Sequence, residues 1–531
     1  MLFNSYVFVF VFLPIVLGVY YLIRKHPART WTIAWLVLAS LVYYAWWKPA
    51  FLLLLLLSIA VNASLGAILC RGRLSRASSR AVLMAGILFN LGLLAYFKYA
   101  GFFVENLNYW FGAGFTVPKI VLPIGISFIT FQNIAFLVDA HRRVVRNFSL
   151  LNYALFVTFF PQLIAGPIVH HAEVMPQFSR RQSPGALSDD VAVGLSIFCV
   201  GLFKKVIVAD SCAVYANAGY DTLKGGHPLD PASAWLAIIA YSFQLYYDFS
   251  GYSDMAVGLA LLFGIRLPVN FHSPYKATGI IEFWGRWHMT LSRFLRDYLY
   301  IPLGGSRGGA FRQYVNLAVV MLLGGLWHGA NWTFVAWGAV HGGLLAVNHA
   351  WTRCSISRHR VFDTRLATGA AVLLTFLLVT LAWVPFRSES LAAAGRMLAA
   401  LFPSGPEAPS VWSSFLQLGR AQFWGGRSML NPAGWFTPQE LWPIVLPPDF
   451  LATYRPAGLL LAVVGLGTFL LPNTSQLFAR FEPVLGLSET EITHGLAVRH
   501  LDWRVAAAVS AMFVLSVLHL SRVSPFLYFQ F

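Results

Sequence analysis

The chain has 531 residues, of which 58% are hydrophobic and only 11% are charged. With 44 Phe, 21 Tyr and 18 Trp, this composition is too apolar for one soluble core and excludes an ordinary soluble enzyme. The formal net charge is +17, yet no basic patch interleaved with aromatic residues indicates a nucleic-acid partner. The four cysteines have neither metal-ligand spacing nor a paired framework, so we expect no metal site.

Long uncharged stretches recur along the chain, and a helix needs about 20 apolar residues to cross the hydrocarbon core of a membrane. We predict roughly ten to twelve spans, in one membrane domain that fills residues 1–531. The first stretch lacks the basic start and the cleavage site of a signal peptide, so we expect it to be a retained span. The clearest runs are residues 6–22, 31–47, 51–69, 82–97, 120–138, 191–203, 316–339, 366–386, 457–472 and 505–520.

Basic residues predict the orientation, because the cytoplasmic loops of membrane proteins collect Lys and Arg. Clusters that begin at Arg24, Arg71 and Arg142 follow the first, third and fifth runs, and the loops between them carry fewer cations. Alternation therefore places the N-terminus in the periplasm and the clusters in the cytoplasm. Residues 151–169 are interrupted by Pro and Gly and lead to another basic segment. We predict that they enter the membrane and return, lining a cavity that opens toward the cytoplasm.

Polar side chains within apolar runs mark candidate sites, because an intramembrane polar group is unfavourable unless it has a partner. Gln132 lies in "LPIGISFITFQNIAFLVDAHR", Gln162 lies in "FPQLIAGPI", and Tyr247 and Asp248 lie in "FQLYYDFSGYSDMA". We take these residues as candidates to line or support a tunnel. Helix packing, a structural bend and a solvated helix end are the respective alternatives.

The segment "IIEFWGRWHMTLSRFLRDYLYIPLGG" has the pattern of an amphipathic helix lying at the membrane surface. At about 100° per residue, Arg286 and Arg293 fall on one charged stripe and His288 falls nearly opposite. We expect the two arginines to contact the phosphates of a donor or anionic lipid headgroups. Anchoring of the helix is the alternative.

Two histidines stand in the uncharged stretch "GGLWHGANWTFVAWGAVHG". His328 follows Trp327 and precedes Asn331 by one helical step, so the amide could hold the ring, whereas His341 is expected to point away. A neutral imidazole in an apolar tunnel can act as a general base or as a transient acyl carrier, because burial disfavours its protonated form. A buried histidine that only donates an interhelical hydrogen bond is the alternative.

Together with "LPIGISFITFQ", "FPQLIAGPI" and "YYDFSGYSDMA", the motifs "RWHMTLSRFLRDYLYIPLGGSRGG" and "GGLWHGANWTFVAWGAVHG" closely resemble the membrane-bound O-acyltransferase (MBOAT) family. The branch is the bacterial one that contains the alginate O-acetylation membrane protein, with the teichoic-acid D-alanylation membrane protein more distant. The resemblance runs to about residue 350 and leaves a long loop at about 403–450 without a recognisable pattern. It implies an all-α polytopic fold, a ring of roughly 10–12 tilted helices with re-entrant and amphipathic helices around a central funnel. It also implies that His328 is catalytic, with His288 in a supporting role.

The resemblance further implies the reaction. An acetyl group would pass from a cytoplasmic donor, acetyl-CoA, through the bacterial inner membrane for O-acetylation of an exported polysaccharide such as alginate, with a periplasmic acetyltransferase as partner. Acetyl-CoA would be a substrate, and no permanently bound cofactor is implied. The alternatives are another acceptor, namely a protein, a lipid or a teichoic-acid-type polymer, and a non-catalytic transporter or scaffold subunit of a polysaccharide export system. A transporter should show paired halves with matching broken helices, and the sequence shows no such pairing.

Overall fold

The computed structural model describes residues 1–26, 28–145, 148–179, 184–354, 364–402, 455–486, 497–521 and 526–527. These residues form helices joined by loops, with one isolated β-bridge between Pro268 and Leu485. Within them, five helices are long and apolar enough to cross a membrane, and four shorter apolar helices accompany these. The protein is therefore an all-α polytopic membrane protein, as the sequence predicts.

The N-terminal helices are apolar runs joined by a few buried amides. Asn62 and Asn90 exchange side-chain hydrogen bonds of 3.2 and 2.6 Å, and the Tyr153 hydroxyl donates to Asn133 Oδ1 at 2.8 Å. In a membrane these bonds hold together helices whose remaining surface is as apolar as lipid. The first five helices are α1 (Phe8–Ile23), α2 (Arg29–Ala45), α3 (Ala50–Cys70), α4 (Arg76–Phe111) and α5 (Ile126–His141).

Residues 150–178 form the interrupted segment that the sequence predicts to re-enter the membrane. Helix formation stops at Phe159, which leaves the helical region with ψ 106°, and residues 167–170 have no helical structure. The backbone N–H of Ile168 is satisfied at 3.0 Å by the Thr290 hydroxyl, so this irregular stretch is buried against protein. Its helices are α6 (Leu150–Thr158), α7 (Phe160–Leu163) and α8 (His171–Phe178).

The central helices enclose a buried ion-pair cluster. Lys205 Nζ lies 2.7 Å from Asp248 Oδ1 and 2.7 Å from Asp210 Oδ1, and the side chains of Lys205 and Asp248 are each 2% exposed. Asp248 also accepts the backbone N–H of Leu527 at 3.0 Å. The carboxylate is therefore buried in an ion-pair cluster and does not lie at a solvated helix end. The helices are α9 (Pro184–Phe203), α10 (Asp210–Lys224) and α11 (Pro231–Leu262).

The segment predicted as one amphipathic helix is interrupted in its middle. Trp287 is extended, and His288 adopts φ 44° and ψ 51°, which is the left-handed region that a non-glycine residue rarely occupies. The backbone turns here, so Arg286 and Arg293 lie on different helices and the predicted common stripe does not exist. The two helices are α12 (Ile280–Arg286) and α13 (Met289–Leu295).

The next two helices form a hairpin around the stretch that carries His328. A side chain at Gly325 would collide with the backbone of Phe334, and one at Gly338 would collide with the carbonyl of Met321. The two backbones therefore approach more closely than any residue with a Cβ would allow. The helices are α14 (Gly309–His328) and α15 (Trp332–Arg353).

The C-terminal helices complete the bundle, because the last of them returns to the first. The Tyr6 hydroxyl, just before α1, donates to the carbonyl of Val517 at 3.0 Å. The loop at about 403–450, for which the sequence shows no pattern, lies outside the described residues. The helices are α16 (Arg365–Arg387), α17 (Leu391–Ala400), α18 (Arg455–Leu470), α19 (Thr474–Leu477) and α20 (Trp503–His519).

Candidate active site

A large cavity of about 620 Å³ lies between α12, α13, α14 and α15. Its volume is in the range of sites that hold a ligand of cofactor size. Arg296 is largely exposed, with 62% of its side chain accessible, so it lies at the mouth of the cavity. The wall combines apolar residues with cations and a histidine at the inner end. Its members include Arg293, Arg296, Met321, Gly324, His328 and His349.

A second, small cavity of about 70 Å³ lies next to the same histidine. The loop before α5 and the bend after α7 form much of its wall. His328 lines both cavities, so their walls share this residue. Lining residues include Lys98, Pro123, Ser127, Ile164, Trp327 and His328.

Aromatic rings surround the imidazole of His328, which is only 5% exposed. Its centroid lies 4.9 Å from that of Trp327, 5.2 Å from that of Trp337 and 5.3 Å from that of Phe386, each in an edge-on arrangement. Trp327 in turn stacks on Phe131 at 5.1 Å. Rigid rings thus fix the position of the imidazole from several directions.

The carbonyls at the end of α14 receive hydrogen bonds from α4. Lys98 Nζ donates to the carbonyls of Trp327 at 2.5 Å and His328 at 3.2 Å, and the Tyr99 hydroxyl donates to that of Leu326 at 2.9 Å. These are the carbonyls that an α-helix leaves without an internal donor. A cation at this end also interacts favourably with the helix dipole. The backbone that carries His328 is therefore held from outside its own helix.

His288 lies beside this centre and is fully buried. Its Nδ1 lies 3.0 Å from Asn270 Oδ1, which also accepts the hydroxyl of Thr290 at 2.8 Å. Asn270 Nδ2 donates to the Ser253 hydroxyl at 3.0 Å. The ring of His288 lies 6.4 Å from Trp327, the neighbour of His328. The geometry fits a supporting role, since a polar network fixes the ring beside Trp327.

Comparisons with known proteins place this chain in a known family. Residues 127–386 match the family model described as MBOAT, membrane-bound O-acyltransferase family. The chain is 40% identical to the probable alginate O-acetylase AlgI of Azotobacter vinelandii, and the match covers 100% of both chains. It is 44% identical to the peptidoglycan O-acetyltransferase of Helicobacter pylori, with 75% of this chain and 79% of the relative covered. It is 43% identical to the probable alginate O-acetylase AlgI of Pseudomonas aeruginosa, with 76% and 75% covered.

The chain belongs to the membrane-bound O-acyltransferase family. The protein is thus an O-acyltransferase of the membrane, and the predicted resemblance is confirmed.

The structure of the acyltransferase corrects the relation predicted between His328 and Asn331. Helix α14 ends at His328 and the chain turns, so the two residues do not share a helical face. Asn331 instead caps α15 by accepting the N–H of Thr333 at 3.0 Å and donates to the carbonyl of Glu389 at 3.0 Å. The reversal of direction also brings His341 back toward the centre, where its ring lies 4.9 Å from that of Trp337.

The two predicted arginines differ in their relation to the cavity. Arg293 lines the large cavity and forms a two-bond ion pair with Glu173 at 2.6 and 2.8 Å. Arg286 pairs with Glu282 on its own helix and does not line that cavity. The acyltransferase therefore presents Arg293, with the neighbouring Arg296, at the cavity mouth.

Four further candidates lie outside both cavities. Gln132 and Gln162 are buried, and Gln162 Nε2 donates to the carbonyl of Phe156 at 2.8 Å, where it supports the bend before α7. The Tyr247 hydroxyl lies 2.8 Å from that of Thr468, which joins α11 to α18. Gln162, Tyr247 and, in its ion-pair cluster, Asp248 thus join neighbouring helices or segments, whereas Gln132 is buried in the bundle.

Sequence reasoning missed several residues of the site, and Lys98 is the most central. The run predicted as a span ends at Phe97, because the charge of Lys98 is typical of the start of a loop. The apolar run continues beyond Lys98, and α4 extends to Phe111. A single cation within an apolar run was the signal that could have identified it.

Proposed function

We propose that this O-acyltransferase transfers an acetyl group from cytoplasmic acetyl-CoA to an acceptor on the far side of the membrane, for O-acetylation of an exported polysaccharide such as alginate. One observation carries the proposal: His328 lines both the large cavity and the small cavity. A charged CoA molecule cannot cross about 30 Å of hydrocarbon, whereas an acetyl group is small and neutral. Donor and acceptor that meet at one imidazole need not cross.

The distribution of arginines supports a cytoplasmic donor. The Ser79 hydroxyl lies 2.8 Å from His141 Nδ1, so the basic segments around the start of α4 and the end of α5 share one face. Arg29 donates to the carbonyl of Phe178 at 2.9 Å, which adds the first basic loop and α8 to that face. Glu173 on α8 pairs with Arg293 at the large cavity. The positive-inside rule assigns this face to the cytoplasm and the N-terminus to the periplasm.

His328 is proposed as the general base. The hydroxyl oxygen of the acceptor attacks the carbonyl carbon of the thioester, and its proton passes to His328 as the new C–O bond forms. The C–S bond then breaks with its electron pair on sulfur, and His328 returns the proton to the leaving thiolate. Because both substrates reach the ring from separate cavities, the transfer needs no covalent acyl-enzyme. His288, held by Asn270, supports the ring system beside Trp327.

The names of the relatives support the proposed acceptor. Curated relatives are named for acetylation of alginate and of peptidoglycan, both polymers that bear hydroxyl groups. We assign this protein to the bacterial inner membrane, with an exported polysaccharide as final acceptor and a periplasmic acetyltransferase as the partner that receives the acetyl group. Acetyl-CoA is its substrate rather than a resident cofactor.

Sidedness of transfer tests the proposal. Labelled acetyl-CoA is supplied to the outside of inverted membrane vesicles, whose outer face is the cytoplasmic one, and acid-stable label is measured inside. We expect label on acceptors inside inverted vesicles and none when the same donor is supplied to right-side-out vesicles. Label that stays on the donor side would identify an acyltransferase for a cytoplasmic acceptor. Absence of acetyl transfer in both preparations would favour a scaffold or transporter subunit.

The donor site makes a second prediction. Replacing Arg293 and Arg296 together by Gln is expected to raise the KM of acetyl-CoA by about tenfold, because charge-assisted bonds to phosphate are lost. The salt dependence of donor binding should decrease at the same time.

Arg286→Gln is the matched variant, since Arg286 pairs with Glu282 outside the cavity and is assigned to anionic headgroups. It should change the KM much less. An unchanged KM and full salt dependence in the Arg293/Arg296 variant would remove these arginines from the donor site.

A further inference from the structure

Lys98 is the charged residue of the site whose position the transfer reaction described above leaves unused. It lies in α4, an apolar helix of 36 residues. No carboxylate among the described residues pairs with it; its contacts are the carbonyls of Trp327 and His328 and the Trp327 ring, 5.8 Å from Nζ to the centroid. A cation in an apolar helix is unfavourable unless it has a function or a partner. Hydrogen bonds to two carbonyls offset only part of the free energy needed to bury a full charge in these apolar surroundings.

The local backbone explains how Lys98 reaches the end of α14. Residues Ala95–Tyr99 form a π-helical turn inside α4. Such a wider turn is frequent at functional sites. Neighbouring residues of a regular α-helix point about 100° apart, yet here Lys98 and Tyr99 both bond to consecutive carbonyls of α14. The π turn therefore directs two adjacent side chains to one helix end.

Lys98 also faces the acceptor side of the reaction. It lines the small cavity together with His328, and Tyr99 does not. An ammonium group has three N–H donors, and the two carbonyls of α14 use two of them. One donor is left for an oxygen atom in the small cavity.

We propose that Lys98 binds the oxygen of the acyl acceptor in the small cavity, while the same ammonium holds the backbone of His328. The acceptor hydroxyl then accepts a hydrogen bond from Lys98 and points its own proton at His328. As that proton leaves, negative charge grows on the attacking oxygen next to a fixed cation, which is the arrangement that lowers a barrier most efficiently. This role rests on the proposed function, because it assigns Lys98 to the acceptor side of that transfer.

The test separates the two substrates. The purified protein in lipid nanodiscs receives acetyl-CoA as donor and glycerol as a small probe acceptor, and release of the CoA thiol is followed as glycerol is varied. Lys98→Met is expected to lower kcat/KM for glycerol by about 10²-fold, with the dissociation constant of acetyl-CoA changed by less than about twofold. Lys98→Arg retains a cation and should recover at least about a tenth of the wild-type rate.

Two further variants distinguish substrate binding from support of the helix end. Tyr99→Phe removes a hydrogen bond to the same end of α14, but Tyr99 does not line the small cavity. This variant should therefore lower kcat/KM by no more than about threefold. Lys119→Met removes an exposed lysine from the loop before α5 and should have no effect. A Tyr99→Phe loss as large as that of Lys98→Met, or a Lys98→Met variant that keeps the wild-type rate, would overturn the role of Lys98 alone. A wild-type protein that releases no thiol would contradict the proposed function instead.

Discussion

Replacing His328 by Ala is expected to lower acetyl transfer by about 10² to 10⁴-fold, which is the usual contribution of a positioned general base. The physical reason is the location of His328, which lines both cavities. Without the imidazole, no general base is in place to accept the proton of the acceptor hydroxyl as it attacks the thioester. Transfer of labelled acetyl groups in inverted vesicles measures the loss.

Folding of this variant must be shown separately, because His328 also packs among aromatic rings. A monodisperse gel-filtration peak and an unchanged dissociation constant for acetyl-CoA would establish it. His26→Ala, which replaces an exposed histidine outside the site, serves as the matched control and should keep full activity. Near wild-type transfer by a folded His328→Ala variant would exclude His328 as the base.

Replacing Lys205 by Met is expected to produce the largest loss of stability, about 3–5 kcal/mol, because it leaves buried carboxylates without their cation. Lys205 pairs with both Asp248 and Asp210 at 2.7 Å, and Asp248 is buried. By formal charge the cluster changes from −1 to −2 in this variant. The midpoint of thermal unfolding, followed by gel filtration of the solubilised protein, measures the effect.

The formal charge of the cluster also predicts which of two variants loses more stability. Asp248→Asn changes the same cluster from −1 to 0 and keeps an oxygen for the N–H of Leu527, so it should be less destabilising than Lys205→Met. Lys224→Met breaks an exposed pair with Glu389, whose side chains are 65% and 69% accessible, and should leave the midpoint unchanged. If Asp248→Asn is the more destabilising variant, the cluster has a role other than charge balance.

Much of the fold follows from the sequence, because lipid leaves hydrophobicity and helix length as the main constraints on a span. The run at 51–69 became α3, and the interrupted run at 151–169 became the broken segment around α7. The positions of Trp327 and His328 at the centre also followed from their motif. The predicted end of the span at Phe97 is wrong, because α4 continues to Phe111. The sequence around Lys98 does not show that carbonyls of a distant helix accept hydrogen bonds from its ammonium group.

Roles that depend on the local path of the backbone were not predictable. The helical step from His328 to Asn331 assumed a continuous helix, and the structure ends α14 at His328. The predicted stripe from Arg286 to Arg293 also assumed a continuous helix. The left-handed conformation of His288 divides that segment into two helices. Periodicity describes the residues within a helix, and these candidate active-site residues lie at or near the ends of helices.

The aromatic rings packed around His328 have a consequence for the electrical insulation of the membrane. In the proposed transfer path, the two cavities leave only a short stretch of protein at His328 to withstand the membrane potential, which is worth about 2.3 kcal/mol per elementary charge for each 100 mV. Trp327, Trp337 and Phe386 close the gap around the imidazole. On that path the voltage would fall mainly across these rings, so the proposed transfer of a neutral acetyl group would not require a leak for ions.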